Sequence, residues 1–143
     1  ADVGTRVFYC DHGGFDTHAA QAAIHSKLWT EVSEAITDFW DDLREHDADD
    51  NVIMFLFSEF GRRVRDNGTG TDHGAGGGAF IIGDNVKGGM YGTYPSLKPE
   101  DLNQGDLDPN YDFRGFYSSV IDQWLGLDPV PIVGGQFEQV QFV

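Results

Sequence analysis

The sequence predicts an α/β fold: a mostly parallel sheet flanked by helices. Two observations carry this. Short apolar runs of strand length alternate with long stretches of helical period, in the order strand, helix, strand, loop, strand, helix. The run Asn51 to Phe57, NVIMFLF, also lacks polar alternation, which predicts a strand covered on both faces.

Taken in chain order, TRVFYC (Thr5 to Cys10) is rich in β-formers and is bounded by Gly4 and an Asp11–Gly14 turn, so it reads as the first strand. Cys10 at its end reads as buried packing. From about Ala19 to His46 the apolar residues Ile24, Leu28, Val32, Ile36, Phe39, Trp40 and Leu43 recur at spacings of three and four. That is one face of a long amphipathic helix, with Asp16 or Thr17 as its N-cap and His25 and His46 on its surface. The Asn51–Phe57 strand follows. SEFGRRVRDNGTGTDHGAGGG reads mostly as loop, and AFIIG as the third strand. After a long irregular connection, FRGFYSSVIDQWLGL forms a second amphipathic helix capped by Gly126, and the tail GGQFEQVQFV alternates like an edge strand.

The chain has 143 residues, which predicts one domain over 1–143. Its formal charge is −15, with 24 acids against 9 bases. Such a surface repels phosphate backbones, so nucleic acid is excluded as a partner. It suits a cationic partner or a hard cation such as calcium. No apolar run approaches the roughly 20 residues of a membrane-spanning helix. A single cysteine makes no internal disulfide.

Ligands of α/β sheets gather at the carboxyl ends of strands. DHGGFDTH follows the first predicted strand, SEFGRR the second, and TDHG leads to the third. Asp16, His18, Glu59 and His73 are therefore expected to converge as metal ligands, with Asp11, His12 and Asp72 as a second tier. Carboxylates and imidazoles together form the mixed oxygen and nitrogen set that zinc, manganese or iron accepts. Arg62 and Arg63, conspicuous in so acidic a chain, have the forks to hold a phosphate or sulfate; ion pairs with neighbouring acids are the competing expectation. Asp106, Asp108 and Asp112 outline a calcium loop, without the glycine and terminal Glu of an EF-hand. No G-x-S-x-G elbow occurs, and Thr17 and Ser58, the hydroxyls nearest the ligands, lack an evident base. The catalytic nucleophile is therefore unassigned.

GGFDTHAAQ, FSEFGRRV, GTDHG, VKGGMYG, DLNQGDL and YDFRGFYSSVIDQWLG occur in the order found in the C-terminal part of domain-of-unknown-function family 1501. That family resembles the alkaline phosphatase and sulfatase superfamily, and the resemblance covers about Val7 to Asp128. It implies the C-terminal part of a larger alkaline-phosphatase-like fold, an exported protein, and metal-dependent hydrolysis of phosphate or sulfate esters. Carried over, Asp16 and His18 match the Asp/His ligand segment ahead of a long helix, although the phosphatases usually put three residues between the two. Glu59 falls where the phosphatases have an Asp-His pair, with Phe60 in place of the imidazole. His73 resembles the late loop histidine.

The strand bearing the nucleophile, and any sulfatase cysteine signature, have no counterpart in this sequence. Two readings follow. The chain is the metal-binding portion of an ester hydrolase, using a divalent ion (zinc, manganese or calcium) and completed by a nucleophile-bearing N-terminal part. Alternatively, it is a non-catalytic, secreted acidic scaffold or assembly module that keeps the fold and is calcium-stabilised. Either reading predicts a homo-oligomer or contact with another subunit.

Overall fold

A computed structural model describes residues 4–143. Helix α1, Gln21–Glu45, is the long amphipathic helix the periodicity requires. Leu28 and Trp40 are its buried residues, linked through Val32 and Ile36 by successive spacings of four. Strands β1, Met54–Leu56, and β4, Phe80–Ile82, lie within the two apolar runs read as strands. Between them, β2, Gly61–Asp66, and β3, Thr71–Gly74, form a hairpin where a loop was expected. Helix α2, Phe113–Ser119, runs on into a π-helical turn, Val120–Trp124, and a short α3 covers Val130–Val133.

The strands do not make the expected parallel sheet. β1 pairs antiparallel with β4, Phe55 opposite Ile81, and β2 pairs antiparallel with β3, Arg62 opposite His73. Among the described residues these are two separate two-stranded sheets. The physical reason is the connection. Parallel neighbours need a crossover, usually a helix, whereas the segment joining β1 to β4 is itself a hairpin and returns the chain antiparallel.

Other expectations at the ends of the chain also fail. Thr5 to Cys10 has no regular secondary structure and pairs with no strand among the described residues, and Val7, Phe8, Tyr9 and Cys10 are all exposed. Propensity for β structure is realised only against a partner strand. Nor is the tail an edge strand. Val140 and Phe142 are buried with Gln141 exposed between them, the two-residue period of a strand, but the tail joins no ladder: side chains of α2 and the turn after it hold most of its backbone, and Lys87 donates its N–H to the Phe142 carbonyl at 2.7 Å. Ser119 Oγ accepts from the Val140 N–H at 2.8 Å. Gln123 donates Nε2 to the Val140 carbonyl at 2.7 Å and accepts from the Phe142 N–H at 3.2 Å. Gly115 permits the approach, because a Cβ there would strike the Glu138 carbonyl oxygen.

The start of α1 sets the position of the site. Asp16 and Thr17 do not cap the helix. Ala20 precedes it in the left-handed region with φ 51°, without a side-chain cap, and the Gln21 N–H donates instead to the Thr69 carbonyl in the hairpin turn at 3.1 Å. Gly70 in that turn lies so close that a Cβ would sit 3.0 Å from the His18 carbonyl and the Gln21 Cβ. Loop, helix start and hairpin are thereby pressed together.

Candidate metal centre

Three of the four expected ligands meet. One donor atom each from Asp16, His18 and His73 lie within 4.8 Å of one another. Asp16 Oδ1 is 2.7 Å from His73 Nε2 and 3.0 Å from His18 Nε2. These spacings approach the roughly 3.3 Å edge of a tetrahedron with bonds of about 2.0 Å, so the donor set fits a zinc-sized ion that replaces the protons now shared between rings and carboxylate. All three residues are exposed, which leaves one side of the cluster open.

The neighbours of these three side chains fix their orientation. Asp72 does not join the three but lies 3.0 Å from His18 Nδ1, the ring nitrogen on the other side from Asp16. Carboxylates in that place set the tautomer and ring orientation of a ligating histidine. Asn67 donates to Asp72 at 3.2 Å and to the His18 carbonyl at 3.0 Å. Its signal in the sequence was Asn67–Gly68, a hairpin-turn dipeptide, obscured because GRRVRD has no apolar alternation. Phe60, which stands where the resemblance places an imidazole, stacks flat on His73 with centroids 4.0 Å apart and an interplanar angle of 10°. The hydrogen bond from His73 holds the Asp16 carboxyl below its ordinary range, and bonds from His18 and then Asn67 do the same for Asp72.

The remaining candidates lie elsewhere. Glu59 is exposed and is not part of the cluster. Asp11 is exposed, and His12 pairs with Glu31 on α1 at 3.4 Å. The Arg62 fork is occupied by backbone carbonyls: Nη1 donates to Thr17 and Thr71, and Nη2 to Phe15. Arg63 pairs with Asp106 at 3.2 Å. Asp112 caps α2 and binds Arg114, so the acids of the suggested calcium loop are divided between separate tasks. Thr17 is buried, with its hydroxyl toward the Phe15 carbonyl and Arg62, and Ser58 accepts from the Phe60 N–H. Among the described residues, neither hydroxyl is hydrogen-bonded to a base. No helix among the described residues is long and apolar enough to cross a membrane.

The family described as "Protein of unknown function (DUF1501)" matches residues 1–129. No curated protein and no solved structure matches the chain.

Proposed function

The chain belongs to the DUF1501 family, and on that premise we propose that it supplies the metal-binding part of a phosphoric or sulfuric ester hydrolase. The observation that carries the reading is the convergence of Asp16, His18 and His73 from segments 57 positions apart, with Asp72 behind His18. Two imidazoles, one carboxylate and an open side are the donor set of catalytic rather than structural zinc sites. A bound divalent ion would polarise an ester oxygen as a Lewis acid. Asp16 and the two Nε2 atoms would hold it, and Asp72 would keep the His18 proton on Nδ1. Thr17 and Ser58 are engaged in backbone contacts, so the attacking group comes from outside the cluster: water, or another segment of polypeptide.

Calorimetric titration of the metal-free protein with zinc tests this. One equivalent should bind, and Asp16→Ala and His73→Ala should each weaken binding at least a hundredfold. The isolated chain should turn over p-nitrophenyl phosphate and sulfate poorly. Absence of binding at millimolar zinc would defeat the proposal.

A second reading, an assembly module, is favoured by a different observation. The chain exposes 10154 Å², whereas a folded monomer of 15.8 kDa exposes roughly 7,300 Å². Phe8 is 78% exposed, Tyr9 78% and Met90 89%, and Ile24, Trp29 and Phe39 leave the apolar face of α1 partly bare. An excess of this size matches one side of a large, permanent interface. The two readings are compatible: a partner covering this surface could also bring the attacking group.

A further inference from the structure

We infer that Arg62 is the positioning residue of the metal centre, fixing the relative placement of ligands that it does not touch. The inference rests on the metal-binding reading.

The ligands arrive on two separate pieces of chain. Asp16 and His18 are on the loop before α1, and His73 is on β3. Arg62 spans the gap. Its Nη1 donates to the Thr17 carbonyl at 2.9 Å and to the Thr71 carbonyl at 2.6 Å; its Nη2 donates to the Phe15 carbonyl at 2.5 Å and approaches Thr17 Oγ1 at 3.4 Å. The carbonyls on either side of Asp16 are thus held by one planar group, and the same group holds the strand carrying His73.

A second path reaches His73 through its ring. Arg62 is directly opposite His73 in the β2–β3 ladder, so the two share a face, and Phe60, just before β2, meets that face through its stack on His73. The guanidinium lies 5.1 Å from the Phe60 centroid, and Phe60 stacks on the His73 imidazole. Guanidinium, phenyl and imidazole form one pile that limits rotation of the ligand ring. Lysine could replace the charge but not a planar fork reaching three carbonyls on two segments.

Cobalt(II), whose visible spectrum reports coordination number, is the probe. Arg62→Lys should retain the fold by circular dichroism and lose cobalt affinity about 10- to 100-fold, the range found when groups that orient ligands are removed. Its cobalt spectrum should change from the wild-type form. Arg62→Ala should recover affinity when guanidinium ion is added, and Phe60→Leu should lose affinity with the carbonyl clamp intact. Arg65→Lys, on an exposed neighbour in β2, should behave as wild type. Wild-type affinity and spectrum in both Arg62 variants would overturn the inference. Should Arg62→Ala not fold, Arg62→Lys and Phe60→Leu still decide.

The ¹⁵N imidazole resonances of His18 and His73 in metal-free protein separate this inference from the reading beneath it. If wild-type protein binds no cobalt or zinc, the metal reading falls. Unchanged imidazole shifts in Arg62→Lys would independently refute the positioning role, and displaced shifts would support it.

Discussion

Ser119→Ala tests how the tail is held. Ser119 is fully buried, and its Oγ donates to the Gly115 carbonyl at 2.7 Å while accepting from the Val140 N–H at 2.8 Å. Alanine leaves the shape nearly unchanged, so cavity terms are small. The main loss is the acceptor for an N–H in a residue only 7% exposed. Stranding a buried donor costs about 1–3 kcal/mol. For a chain of this size that corresponds to a fall in Tm of roughly 3–10 °C. Urea unfolding followed by tryptophan fluorescence measures the first quantity, and hydrogen exchange at Val140 and Phe142 locates it. Gln123→Met removes the neighbouring bonds to Val140 and Phe142. If the tail docks as a unit, the double variant should lose less than the two singles summed, because a tail already released has little left to lose. An unchanged urea midpoint with native protection of the Val140 amide would refute this account.

Three further outcomes are expected. The Asp112 carboxyl, held down to about 2 by the Arg114 side chain and then its backbone N–H, titrates below its ordinary 3.8. Its contribution to α2 should therefore be complete above 3.8 and fade as pH falls toward about 2, and Asp112→Asn should remove that acid-dependent component from a helical circular-dichroism titration. In Gly61→Ala the new Cβ would collide with the Gly76 carbonyl oxygen, costing roughly 1–3 kcal/mol or more. Because Arg62 and His73 are paired one step along the same ladder, cobalt binding should fall with it in a spectrophotometric titration. If copies of the chain cover one another's apolar surface, the −15 charge opposes their approach, so sedimentation should show association rising with salt; a monomer at every ionic strength would count against the assembly reading.

Part of this structure was legible in the sequence. Leu28 and Trp40 announced α1 because helical periodicity is a local property written every three or four residues. The apolar runs around Phe55 and Ile81 gave the places of β1 and β4, but strand direction depends on the connection, and β2 and β3 were concealed by arginines and glycines. Thr5 to Cys10 shows the converse: its residues suit a strand, and no partner strand among the described residues meets it. At the site, Asp16, His18 and His73 were legible as residue types able to bind metal. Glu59 was not separable from them, because nothing in the sequence states that its neighbour Phe60, and not Glu59, meets His73. The roles of Asp72, Asn67, Phe60 and Arg62 were hidden for a different reason. Each acts on a ligand through space, and Arg62 acts on carbonyls, which every residue possesses.

Asp16 and His73 stand 57 positions apart, and the intervening chain holds α1, β1 and β2. Neither Asp16-x-His18 nor Asp72-His73 alone makes the cluster of three side chains, so the cluster comes into being only when a loop of that length closes. A tie across a long loop removes more freedom from the unfolded chain than a tie across a short one. A bound ion would act as a removable staple around most of the first half of the fold. Chelation should then loosen α1 and the hairpin together, and refolding should depend on how much metal is present when the ends of the loop first meet.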